Sequence, residues 1–177
     1  MSVLNGVRVL DLTRVLAGPL TGQILADMGC DVVKIERPGT GDDTRGWVPP
    51  FARDSDGGST DVSAYFLSAN RGKRSVTVDL DHADGCALVQ RLATHADVLV
   101  ENYRVGDLAR RGLDHASLSA LNPRLVYCSI TGYGQTGPYA ERPGYDPIAQ
   151  AFGGLMSITG VPAGEPVRCG VSIVDIL

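Results

Sequence analysis

Apolar residues recur along the first 130 positions with two alternating periods. Val7-Arg8-Val9-Leu10-Asp11-Leu12 is a short run rich in aliphatic and β-branched residues and reads as a strand. Gly18-Pro19 then opens a helix, because proline is favoured in a first turn. Leu20, Ile24, Leu25 and Met28 recur at helical spacing as its apolar face, and Gly29 supplies the stop. Asp31-Val32-Val33-Lys34-Ile35-Glu36 is a second strand, ended by Arg37-Pro38-Gly39. Ser75 to Leu80 predicts a third strand. Asp81-His82-Ala83-Asp84 begins a helix running to about His95, and Asp97-Val98-Leu99-Val100-Glu101 is a fourth strand. Two short helices near Val105–Arg111 and His115–Leu121 precede a fifth strand from Arg124 to Ile130.

Strands alternating with helices imply a parallel sheet covered on both faces, an α/β fold. Ligands of open sheets of this kind bind beyond the carboxyl ends of the strands. Thr13–Pro19, Arg37–Asp42, Asn102–Asp107 and Thr131–Pro138 come directly after strands, so they have the first claim on function. Residues 38–62 are rich in Gly, Pro and Asp and read as one long exposed loop of the kind that carries function. The alternation breaks after Ile130. Residues 131–177 are dense in glycine and proline, with a helical stretch at Pro147–Met156. The last residues, Val171-Ser172-Ile173-Val174-Asp175-Ile176-Leu177, are apolar with no cap or polar tail. Natural termini are usually exposed and polar, so a fragment of a longer protein is expected.

The 177 residues suffice for one domain of ordinary size, and 44% hydrophobic with 20% charged residues is ordinary for a soluble globular chain. A formal net charge of -4, with no basic run interleaved with aromatics, gives no footprint for nucleic acid. Single arginines near loop ends suit a small phosphorylated ligand instead. Cys30, Cys86, Cys128 and Cys169 are far apart and form no CxxC, which argues against a zinc knuckle and for reduced, packed thiols in a cytoplasmic protein. His82, His95 and His115 read as surface or cap residues, and no metal site is expected. The N-terminus lacks a signal-peptide layout, and no apolar run approaches the length of a membrane span.

Several ordered segments together resemble the N-terminal half of family III CoA-transferases, a superfamily that also contains α-methylacyl-CoA racemases. They are Val9-Leu10-Asp11-Leu12 with Ala17-Gly18-Pro19, Asp31 through Gly39, and Asn70-Arg71-Gly72-Lys73-Arg74-Ser75. Asp97 through Tyr103, Gly132-Tyr133-Gly134, Gly144-Tyr145-Asp146 and Gly170 through Asp175 complete the set, so the likeness runs from about Leu4 to Leu177. The resemblance implies a Rossmann-like sheet within the large domain of an interlocked homodimer. On that reading residues 1–177 are the N-terminal part of the large CoA-binding domain. The small domain and the C-terminal return are absent, and the 177 residues alone are expected to be inactive.

The resemblance also implies a site. Val15, Leu16, Ala17 and Arg37 correspond to residues near the nucleotide of coenzyme A. Asn102, Tyr103 and Arg110 correspond to residues along the pantetheine and phosphate path. Arginine suits multidentate contact with phosphate. The basic cluster Asn70–Arg74 is balanced between phosphate attraction and a solvated turn before a strand. Asp175 falls where the family's catalytic aspartate lies, with Gly153 and Gly154 as candidate oxyanion donors. The implied reaction moves coenzyme A from an acyl-CoA to a free carboxylic acid through an aspartyl anhydride and an aspartyl-CoA thioester. Coenzyme A is then a substrate, and no permanently bound cofactor is expected.

Three other readings stand beside it. Racemases of the superfamily carry His where this chain has Tyr145, and a tyrosine is a poor base near neutral pH. A catalytically inactive CoA-binding module is the alternative outside enzymes. Glu36 stands where a dinucleotide fold places its ribose-binding acid, but the glycine-rich turn such a fold needs is missing after the first strand.

Overall fold

The computed structural model describes residues 2–177, which divide into two compact units, one ending at Ile130 and the other spanning Thr131–Leu177. In the first, strands β1 (Arg8–Asp11), β2 (Asp31–Glu36), β5 (Lys73–Thr77), β6 (Val98–Glu101) and β7 (Val126–Ser129) form one sheet in the order β5-β2-β1-β6-β7. Every pairing in it is parallel, with Leu10 opposite Val33 on one side and Leu99 on the other.

Both faces of this sheet are covered, as the alternation implies. Leu10, Leu12, Ile35 and Leu99 point into one apolar cluster with Val89 and Ala93 of α3 (Ala83–Ala93) and Leu118 of α4 (His115–Leu121). Val9, Val32 and Val100 point to the opposite face, where Leu25 and Ala26 of α1 (Ala17–Asp27) pack. Successive strand residues thus feed opposite cores. Each wholly buried Leu or Val contributes about 1.5–3 kcal/mol of apolar burial.

Four sequence expectations need correction. Only part of the apolar stripe of α1 packs: Leu25 does, but Ile24 and Met28 are exposed, whereas Gly18, Pro19, Gly22 and Gln23 are buried. The helix lies so close to the end of β1 that a Cβ on Gly22 would come within 2.6 Å of Asp11 Oδ2, so only glycine fits at that point of contact. Residues 38–62 are not one open loop. They hold a 3-10 turn (Asp43–Gly46) and an antiparallel hairpin of β3 (Phe51–Arg53) and β4 (Ser59–Ser63), with α2 (Ala64–Ser68) directly after it. Strand β5 begins at Lys73 rather than Ser75, and of Val105–Arg111 only Ala109–Arg111 is helical, as a 3-10 turn.

The second unit contains α5 (Asp146–Phe152), a 3-10 turn (Leu155–Ile158) and α6 (Ile173–Ile176). Tyr133, Tyr139 and Phe152 meet edge to face, with ring centroids 5.7–5.9 Å apart. Gly132 and Gly144 touch backbone to backbone, and a Cβ on either would collide with the other's Cα. The two Gly-Tyr motifs are therefore one contact. All four cysteines are unpaired, and burial pushes the Cys30 and Cys128 thiols up. Among the described residues, no helix is long and apolar enough to cross a membrane.

Candidate active site

The residues after β1, β2 and β6 meet in the first unit. Asn102 clamps the backbone of Arg14: its Oδ1 accepts the Arg14 N–H at 2.9 Å and its Nδ2 donates to Arg14 O at 2.7 Å. A side-chain amide thereby makes the paired donor and acceptor contacts that a backbone would make. Arg14 reaches over the Tyr103 ring, 5.2 Å from its centroid, a cation–π approach. The Tyr103 N–H donates to Glu101 Oε2 at 2.8 Å. Burial pushes the Tyr103 hydroxyl up in pKa, while Arg14, Arg111 and Arg37 oppose the shift, so three cations lie near this ring. Val15 has φ +74°, a conformation that β-branched residues rarely adopt. Leu16 stands at the N-terminus of α1, where its carbonyl accepts from Leu20 N–H, and Ala17 is the first helical residue.

The loop is held from beneath by buried charge. Lys34 Nζ donates to Thr13 O at 2.7 Å and pairs with Asp42 Oδ2 at 2.9 Å. Asp42 Oδ1 accepts from Thr44 N–H, from Thr44 Oγ1 and, at 3.3 Å, from Val15 N–H. Burial alone would raise the Asp42 pKa, but Lys34 and Thr44 hold it below the usual carboxylate value. Lys73 Nζ bonds Asp11 Oδ2 and Pro19 O, both at 2.7 Å, and Asn70 Oδ1 at 2.9 Å. Burial pulls the Lys73 ammonium down in pKa despite Asp11. Such pairs cost desolvation and are retained where they fix a geometry. Here they fix both ends of the segment from Thr13 to Pro19.

The basic cluster is correspondingly spent on the protein itself. Arg71 pairs with Asp27 and Arg74 with Asp31, each at 2.6 Å, and Lys73 is the buried partner of Asp11. Of the two readings left open for this cluster, these pairs favour the turn before a strand. Glu36 is equally committed. It accepts from Arg45 twice at 2.7 Å, from Asp42 N–H at 2.9 Å and from Ser75 Oγ. No lone pair is left for a ribose, which removes the dinucleotide reading.

Arg37, at the end of β2, is exposed. Arg110 is exposed and paired with Asp107, and it lines a groove of about 540 Å³ with Leu80, Asp81, His82, Cys86 and Arg111. His82 caps α3, its Nδ1 accepting the Asp84 N–H at 3.2 Å. Among the described residues no three His, Cys, Asp or Glu side chains converge as a metal site.

Asp175 lies in α6 of the second unit, half-buried, and its carboxylate has no hydrogen-bond partner among the described residues. Burial pushes its pKa up and Asp146 adds to the shift. Asp146 and Gln150, both buried, are absent from the sequence-based site. Asp146 Oδ1 accepts the Val174 N–H at 2.9 Å, and Gln150 Nε2 donates to Asp146 Oδ2 at 2.7 Å. The spacing of Asp146 and Gln150, one helical turn apart, is the only local signal that pairs them. Gly153 and Gly154 are not free oxyanion donors: their N–H groups close α5 on Ala149 O and Ala151 O. Tyr145 is exposed at the start of α5.

A family model described as CoA-transferase family III matches residues 4–177. The chain is 57% identical over 173 residues to a succinate–glutarate CoA-transferase of Agrobacterium fabrum, covering 98% of this chain and 43% of that protein. It is 51% identical over 176 residues to the succinyl-CoA:glutarate CoA-transferase of Mus musculus, covering 99% of this chain and 39% of that one. The crystal structure of a CAIB/BAIF family protein from Brucella suis superposes with a TM-score of 0.91 at 52% identity, covering 99% of this chain and 45% of that one. The chain thus spans about two fifths of the length of the curated relatives it matches.

Proposed function

We propose that this chain, which belongs to CoA-transferase family III, is the nucleophile-bearing part of an enzyme that moves coenzyme A from an acyl-CoA to a free dicarboxylic acid. The observation that carries the reading is the 57% identity over 98% of the chain to a protein named for succinate and glutarate. The complete protein is read as a cytoplasmic homodimer of interlocked subunits on the family resemblance.

Asp175 is the nucleophile in this reading. Its oxygen attacks the thioester carbonyl, the C–S bond breaks, and coenzyme A leaves as thiolate with a mixed anhydride behind it. The thiolate then attacks the Asp175 carbonyl, releasing the donor acid and leaving an aspartyl-CoA thioester. The acceptor carboxylate attacks that carbonyl, forming a second anhydride and freeing the thiolate. Thiolate attack on the acceptor acyl carbon gives the new thioester and restores the Asp175 carboxylate. Covalent catalysis divides one hard exchange into easier steps. Two features of Asp175 support the assignment: an unpartnered carboxylate, and a pKa raised by burial, which strengthens its oxygen as a base once ionised. Val15, Leu16, Ala17, Arg37, Asn102, Tyr103 and Arg110 hold the coenzyme A ester, with Arg14 as an added cation on Tyr103.

The test is exchange between succinyl-CoA and glutarate by the complete protein, measured as glutaryl-CoA by mass spectrometry. Asp175→Ala and Asp175→Asn should abolish exchange while still binding coenzyme A. Hydroxylamine added after acyl-CoA should mark Asp175. Exchange at wild-type rate by Asp175→Ala would remove the nucleophile assignment.

A further inference from the structure

Helix α6 is four residues long and has no side-chain cap, so it has little means of holding itself in place. A pair of side chains on α5 holds it instead. Asp146 Oδ1 takes the Val174 N–H at 2.9 Å, immediately before Asp175. Asp146 Oδ2 takes Gln150 Nε2 at 2.7 Å, and Gln150 Oε1 takes the Cys169 N–H at 2.7 Å. Gln150 Nε2 also lies 3.5 Å from Val171 O. An ionised carboxylate only accepts, so the donor end of the Gln150 amide faces Asp146 and its oxygen is left for the Cys169 N–H.

We propose that Asp146 and Gln150 are positioning residues that latch the segment 169–175 onto α5 and so aim the Asp175 carboxylate at the thioester carbonyl. The proposal rests on Asp175 being the nucleophile. Both latch residues are buried, at 4% and 0% exposure, so no water replaces a broken link without cost. The links are serial: Cys169 to Gln150, Gln150 to Asp146, Asp146 to Val174. Each end of the loop is tied to α5 separately, and the Gln150–Asp146 bond sets the orientation of both ties. A displacement of about 1 Å at a reacting group costs on the order of 100-fold in rate.

The hydrogen-bond pattern permits a swap test in the complete protein. Asp146→Asn puts an amide N–H against the Gln150 N–H, or else loses the acceptor for Val174. Adding Gln150→Glu restores the chain: Asn Oδ1 accepts from Val174, Asn Nδ2 donates to the glutamate, and the glutamate accepts from Cys169. Asp146→Asn should slow both kcat and single-turnover trapping at Asp175 by about 10–100-fold, with the KM for the CoA ester within about twofold. The double variant should recover most of the loss. A wild-type kcat in Asp146→Asn, or a double variant no faster than the single, overturns the latch. If Asp146→Asn does not fold by circular dichroism, Gln150→Leu decides: lowered kcat at unchanged KM supports the latch, and wild-type kcat overturns it. Trapping at Asp175 with wild-type turnover in these variants defeats the latch alone. Exchange by Asp175→Ala defeats the nucleophile assignment instead.

Discussion

Lys34 Nζ stands 2.9 Å from Asp42 Oδ2, and the two side chains are 1% and 0% exposed. Removing one partner leaves the other charged, buried and unpaired, which typically costs about 3–5 kcal/mol. Lys34→Met is expected to lose about that much in urea denaturation of the complete protein. Adding Asp42→Asn, which keeps an acceptor for Val15 and Thr44, should return part of the loss, with a coupling energy of about 1–3 kcal/mol. A loss below about 1 kcal/mol for Lys34→Met would show that the pair is not what holds the loop.

Glu36 sets an acid limit. Burial works to raise its pKa, but hydrogen bonds from Arg45, Ser75 and Asp42 N–H outweigh it and bring the value down from 4.5 to about 2. A depressed acid binds protons more weakly folded than unfolded. Its contribution is therefore full above the unfolded value and lost as pH falls through the folded one, between about 4.5 and 2. At about 1.4 kcal/mol per unit this amounts to about 3 kcal/mol. Glu36→Gln should flatten the stability profile over that window. An unchanged slope would mean that the Arg45 bridge does not survive in solution.

How much of this is legible in the sequence depends on the range of the interaction. Strand β2 reads at its observed bounds because Val32, Val33 and Ile35 mark it locally, and the α/β order comes from the alternation. The hairpin at Phe51–Ser63 does not show, because Phe-Ala-Arg and Ser-Thr-Asp-Val-Ser are too short to display a period and are largely exposed. The face of α1 misleads because hydrophobicity marks Ile24 and Met28, while the sheet selects for small volume at Gly18 and Gly22. Arg71 and Arg74 look like free cations until Asp27 and Asp31, distant in sequence, are seen beside them. Asp175 is reached through motif resemblance alone. The carboxylate that holds its helix, Asp146, is one turn from Gln150, but nothing local announces Val174 and Cys169 as their partners.

Gly22 offers a case where two effects of known size oppose. Alanine is favoured over glycine inside a helix by about 1 kcal/mol. Its methyl would meet Asp11 Oδ2 at 2.6 Å and Lys73 Nζ at 3.1 Å. Those atoms cannot retreat, since they are bonded to each other at 2.7 Å. Overpacking of this kind costs about 1–3 kcal/mol before damage to the pair is added. Gly22→Ala should therefore lower Tm, whereas Gly46→Ala, with open space around it, should leave Tm unchanged or raise it. A Tm raised by Gly22→Ala would contradict the packing of α1 on β1.

Val15 carries backbone strain at the segment proposed to hold the coenzyme A ester. Its φ of +74° is a left-handed value, and a branched Cβ there costs about 1–3 kcal/mol. The surrounding structure enforces it: Asn102 clamps Arg14 on one side, and Asp42 takes the Val15 N–H on the other. Glycine relieves the strain but gains freedom in the unfolded chain worth about 0.4–1 kcal/mol. Val15→Gly should thus leave stability unchanged or raise it by about 1 kcal/mol in urea denaturation. The same change loosens the segment in the folded state, so ordering it on the ligand becomes part of the binding free energy. Coenzyme A titrated calorimetrically into the complete protein should bind Val15→Gly several-fold more weakly, with a more unfavourable entropy. The two signs together are the signature of a loop strained for binding. A variant that is both less stable and unaltered in affinity would show Val15 to be ordinary packing instead.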